Sequence, residues 1–125
     1  MLANDLFSDW MDIKILDLGL GFCTLSCTTK KEMLNGFEIL HGGITYSISD
    51  SALAFASNSY GFKCVSIETS ISHLRPVIVN TTLTAKCSEI HRGKTIGIYN
   101  VDIYDENDRI VSKFKGTVNI SNDLW

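Results

Sequence analysis

One carboxylate stands apart by its surroundings. Between His41 and Lys63, Asp50 is the only acidic or basic residue in a run of glycine, alanine, serine and apolar side chains (HGGITYSISDSALAFASNSYG). An unpaired carboxylate is costly to bury among such neighbours. That setting suits an acid that takes a proton from water or attacks a carbonyl carbon itself. The sequence leaves both routes open. The same run begins with His41, Gly42 and Gly43. At a helix start the first backbone N–H groups are unpaired and lie at the positive end of the helix dipole, so they can hold an oxyanion. Glycine lets a ligand approach that backbone closely. Gly42 is the expected oxyanion donor, with Gly43 beside it against the substrate. A basic or attacking carboxylate and an oxyanion donor are the two groups that acyl transfer requires.

Spacing adds a constraint. Asp50 follows Gly42 by eight residues, which is about 12 Å along a helix at about 1.5 Å per residue. Both groups must come within about 3 Å of the reacting atoms. One chain cannot supply both. Two antiparallel helices from two chains can, so the spacing predicts a site shared across a homodimer.

The elements that would position these residues follow from pattern. Asn4 to Trp10 reads as a short helix with Asn4 or Asp5 as its cap. Ile13 to Leu20 and Phe22 to Thr28 read as a hairpin around Gly19 and Gly21. Met33 to Leu40 is irregular, with an Asn35-Gly36 turn. The run from His41 suits a helix buried nearly all round, ended by Gly61. Then the period becomes two. Val65, Ile67 and Ile71 are expected on one face of a strand, and Ser66, Glu68 and Ser70 on the other. Pro76 ends that strand. Leu83, Ala85 and Cys87 mark the next, residues 91–94 turn, Thr95 to Tyr104 form a strand, and 105–109 make a solvated loop before the strand from Ile110. Two strands, one helix and three or four antiparallel strands fit an α+β domain, residues 1–125, with one helix wrapped by a curved sheet. Such a sheet has an edge that invites a second copy.

Composition narrows the function classes. Net charge is −3, and the pI is about 5.5, so there is no basic field for a nucleic-acid backbone or anionic lipid. A polyanion can still be held by a few local Lys or Arg side chains. MLANDLFSDWMDIK carries acids where a signal peptide needs basic residues, and no run of about 20 apolar residues occurs. A cytoplasmic protein with no membrane partner is expected. Cys23, Cys27, Cys64 and Cys87 form no CxxC pair, and read as reduced core thiols. Neither a metal nor a separate cofactor is expected.

The run MLNGFEILHGGITYSISDSALAFASNSYG, followed by LRP at 74–76, GK at 93–94 and the late Gly116, resembles the hotdog-fold thioesterases of the phenylacetic-acid-degradation type. The resemblance spans about residues 12 to 120. It implies an acyl-CoA thioesterase, for aryl or phenylacetyl-type groups among others, that forms a dimer or a dimer of dimers. CoA would be part of the substrate. In that pattern Asp50 is the catalytic carboxylate and Gly42 the oxyanion donor. Asn35 would hold the attacking water or the carbonyl, His41 would orient Asn35 or its loop, and Ser66 matches a position where relatives place a hydroxyl beside the water. Arg92 and Lys94 are expected on the CoA phosphates, with Arg75 behind them. His73 and His91 read as structural. The competing reading is a non-catalytic acyl-CoA-binding protein on the same fold, since a fold alone does not decide chemistry.

Overall fold

The computed structural model describes residues 5–125. The short helix α1 (Leu6–Trp10) is capped by Asp5, whose side chain accepts the Ser8 N–H; the alternative cap, Asn4, lies outside the described residues. Strands β1 (Lys14–Gly19) and β2 (Phe22–Thr28) form the expected hairpin. Helix α2 (Gly42–Ser57) follows, then β3 (Phe62–His73), β4 (Thr82–Arg92), β5 (Ile96–Tyr104) and β6 (Ile110–Leu124). All neighbours are antiparallel, in one six-stranded sheet of order β1-β2-β4-β5-β6-β3. No described helix is long and apolar enough to cross a membrane.

Helix α2 lies across this sheet because its apolar and small residues recur at helical spacing. Thr45, Ile48, Ser49, Ala52, Leu53 and Ala56 are buried, a stripe that fits the i, i+3, i+4 rule for a core-facing side. Opposite them the sheet presents Leu25, Leu83, Ala85, Tyr99, Val101 and Val118, all at most 1% exposed. Burial of the leucines and valines among them contributes about 1.5–3 kcal/mol each. The helix is not buried all round, however. Ser47, Asp50, Ser51 and Ala54 form a second stripe that is only half-covered. Gly61, at φ 94°, takes the left-handed conformation that ends the helical segment and favours glycine.

Gly116 sets how closely helix and sheet approach. A Cβ there would lie 2.5 Å from the Leu53 side chain, and Leu53 is itself buried. Gly116→Val is expected to cost about 1–3 kcal/mol by overpacking, read as a lower urea midpoint. A midpoint equal to that of the native protein would show that the contact is not limiting.

Register corrects the face assignment of β3. Residues directly opposite one another across strands share a face. Cys64 and Ser66 pair with Ile120 and Val118, which are buried. A bulge between Ser66 and Glu68 then shifts the alternation, as an extra residue must. Beyond it Thr69, Ile71 and His73 pair with Gly116, Phe114 and Ser112, again on the buried side. Ser66 and Ile71 therefore share the helix-facing side, and Val65 lies opposite them. Val65 is 66% and Ile67 59% exposed, on a strand that ends the sheet.

Candidate active site

The start of α2 leaves one donor free. His41 is extended, and its Nδ1 accepts the Gly43 N–H at 2.9 Å. The Ile44 N–H donates to the His41 carbonyl. The Gly42 N–H has no acceptor among the described residues, as the first amides of a helix do unless something caps them. His41 thus consumes the Gly43 donor and leaves that of Gly42 exposed to a ligand.

Beside Gly42 is a cleft of about 390 Å³ that includes Asn35, Thr45, His73 and Arg75. The Asn35 side-chain oxygen accepts the Phe37 and Ile39 N–H groups at 2.9 and 3.5 Å. Its Nδ2 has no partner among the described residues, so the turn fixes the amide with its donor available. Thr45 Oγ1 donates to the Gly42 carbonyl at 3.0 Å and lies 3.3 Å from His73 Nδ1. A hydroxyl has one proton to give, so Nδ1 is the donor of the His73 pair. The other ring nitrogen faces Gly42, where a Cβ would lie 3.0 Å from it. Arg75 is exposed and is the cleft's only guanidinium.

Asp50 opens elsewhere. Its half-buried carboxylate has no hydrogen-bond or ion-pair partner among the described residues, and burial raises its pKa above the ordinary 3.8. It lines a concavity of about 300 Å³ with Ser47, Ser51 and Ala54 of α2, and with Asp5 and Phe7 at α1. The two concavities share no residue. Ser66 is exposed on the helix side of the sheet, and its hydroxyl has no partner among the described residues.

The sequence-based candidates therefore separate into groups. Asn35, Gly42 and Arg75 come together in one cleft, with His41 capping the helix at its margin. Asp50 stands alone in the other concavity. Arg92 departs from expectation. Its guanidinium donates to the Ser57 carbonyl at 3.2 Å and the Tyr99 hydroxyl at 3.0 Å, lies 3.9 Å from Glu89, and stacks 3.8 Å over the Tyr60 ring. Its charge is used inside the fold at the C-terminal end of α2, rather than held out for a phosphate. Lys94 is exposed on the turn between β4 and β5. His73, read as structural, lines the Gly42 cleft; the bulge that turns it inward leaves no sequence signal. Phe7 was also missed, because nothing in α1 announces which helix it meets. The four cysteines are buried and unpaired, and burial pushes the Cys23 and Cys87 thiols up to about 12.

This chain belongs to the thioesterase superfamily, whose sequence model matches residues 37–112. It is 35% identical over 116 residues to the acyl-coenzyme A thioesterase PaaI of Escherichia coli (strain K12), covering 93% of this chain and 83% of that protein. The structure of E. coli PaaI, from the phenylacetic acid degradation operon, matches with a TM-score of 0.97 at 33% identity, over 99% of this chain and 90% of that one. A hypothetical thioesterase of Streptococcus pneumoniae TIGR4, solved with coenzyme A, shares the fold at 24% identity and a TM-score of 0.87, over 90% of this chain and 88% of that one. The fold is the hotdog fold, and the chain is a thioester hydrolase.

Proposed function

We propose that this protein hydrolyses acyl-CoA thioesters in a site assembled from two protomers, with Asp50 from one and the Gly42 N–H from the other. The observation that carries the reading is the separation of an unpaired donor and an unpaired carboxylate into two concavities along one helix. Antiparallel apposition of two α2 helices brings a Gly42 cleft to an Asp50 concavity twice. The exposed edge of β3, with Val65 and Ile67 uncovered, supplies a surface on which a second copy can add its own β3.

In the general-base route Asp50 takes a proton from water, and the hydroxide adds to the thioester carbon. The oxyanion on the former carbonyl oxygen accepts the Gly42 N–H, and Asn35 Nδ2, in the same cleft, donates to it as well. Collapse of the tetrahedral species breaks the C–S bond, and the CoA thiolate leaves with the proton that Asp50 held. In the nucleophilic route the Asp50 carboxylate adds to the thioester carbon, the C–S bond breaks as CoA thiolate leaves, and water opens the resulting mixed anhydride to free acid and Asp50. By the family likeness, the Ser66 hydroxyl on the helix side of the sheet holds the water in either route. Arg75, at the Gly42 cleft with no side-chain partner among the described residues, is the first candidate for a CoA phosphate, with Lys94 second. The acyl group favoured by the family likeness is aryl or phenylacetyl.

Thiol release from a panel of acyl-CoAs tests the reading. Turnover by the native protein that is lost in Asp50→Ala is expected. Tight binding of acyl-CoA without thiol release would instead identify a binding protein. A binder gains nothing from the cost of an unpaired, partly buried carboxylate, which is why catalysis is preferred.

A further inference from the structure

The concavity over Asp50 has a wall that hydrolysis itself does not require. On the α2 side it is lined by Ser47, Ser51 and Ala54, all small. The bulky apolar group is Phe7, which is 47% exposed. An exposed phenylalanine is ordinary by itself, but this one is held in place beside a partnerless carboxylate. Ser8 and Met11, which follow it in α1 and at its C-cap, are each 1% exposed. The Ser8 hydroxyl donates to Asp5 at 2.6 Å and lies 3.4 Å from Ser51 on α2. Lys30 donates to the Trp10 carbonyl at 2.6 Å and stacks over the Trp10 ring. The Ser8–Ser51 contact holds α1 beside α2 and the Lys30 contacts hold it to the segment after β2, so that the Phe7 side chain lines a space of about 300 Å³.

We propose that Phe7 is the acyl-selecting wall of the site, favouring thioesters whose acyl group carries an aryl or other compact apolar ring. Such a ring packs edge or face against Phe7, an arrangement aromatic pairs favour, while the small α2 side chains leave it room. An acetyl group carries no ring to pack there. Selection then comes from α1 rather than from the sheet or from α2. The inference rests on the acyl-CoA reading and adds the residue that chooses among acyl groups.

The test compares kcat/KM for phenylacetyl-CoA with that for acetyl-CoA in the native protein, Phe7→Ala and Phe7→Leu. The ratio is expected to fall roughly tenfold in Phe7→Ala, the scale on which an apolar pocket discriminates, and less in Phe7→Leu. An unchanged ratio, or equal losses on both substrates, overturns the assignment. A binding arm separates this from failure of the catalytic reading. In Asp50→Asn, phenylacetyl-CoA is expected to bind more tightly than CoA, and adding Phe7→Ala is expected to erase most of that difference. A native protein that releases no thiol would refute the thioesterase reading, while the binding arm still decides the role of Phe7. Equal affinity of Asp50→Asn for phenylacetyl-CoA and CoA overturns the wall.

Discussion

Replacing Asp50 with Asn is expected to lower kcat by roughly two orders of magnitude or more, and at the same time to make the protein more stable at neutral pH. The two effects have one cause. Asp50 has no hydrogen-bond or ion-pair partner among the described residues, and burial raises its pKa above 3.8. The native state therefore keeps this proton to higher pH than the unfolded chain does. Stability falls with rising pH wherever the folded state binds more protons. The Asp50 contribution is thus least unfavourable below about pH 4 and worsens as pH rises through the folded pKa. Asparagine has the same shape and no charge to desolvate. The melting-temperature advantage of Asp50→Asn should open across that window and persist above it, measured at equal protein concentration because association also shifts melting. The same titration sets the acid limb of kcat/KM, which should lie above the ordinary carboxylate range, since only the ionised form takes a proton or attacks. Near-native turnover in Asp50→Asn would remove Asp50 from the mechanism. A melting advantage that shrinks as pH rises would contradict the desolvated carboxylate.

What could be read from the chain depended on how local the cause was. Asp50 was visible because a lone charge in a run of small and apolar residues is a property of consecutive positions. The free amide of Gly42 was partly visible. Two adjacent glycines mark a helix start, but which of them stays unpaired is decided by the ring of His41, whose Nδ1 takes the Gly43 N–H. The succession of strands along the chain after α2 followed from the period-two pattern, and β5 and β6 lie where alternation puts them. The faces of β3 did not. A bulge between Ser66 and Glu68 shifts parity without any glycine or proline to mark it, and so moves Ile71 and His73 to the helix side. Arg92 failed for a related reason. A basic residue near a turn looks solvent-facing until the tertiary fold brings Ser57, Tyr60 and Tyr99 around it. Phe7 comes to line the Asp50 concavity only because α1 meets α2, a contact between residues more than forty positions apart in the chain.

The shared site makes a prediction that no single variant can. Asp50→Ala removes the carboxylate, and Gly42→Val crowds the donor amide, since the added Cβ would sit 3.0 Å from the His73 ring. Loss of one oxyanion donor costs roughly 3 kcal/mol of transition-state stabilisation, so each variant alone should be nearly inactive. Gly42 and Asp50 lie about 12 Å apart along one helix, too far to meet at one carbonyl. If each site takes Gly42 from one protomer and Asp50 from the other, a mixed dimer of the two variants has one site with both lesions and one with neither. Unfolding the variants together and refolding them pairs chains at random, so about half of the dimers are mixed, each with one intact site of two. Activity should then recover to about a quarter of the native value. The recovery should be absent when either variant is refolded alone, and should scale with the fraction of mixed dimer seen by native mass spectrometry. Mixed dimers without activity would place both groups in one chain's site, against the geometry of α2. Recovery well above a quarter would mean that the crowded amide still donates, and would move the oxyanion contact away from Gly42.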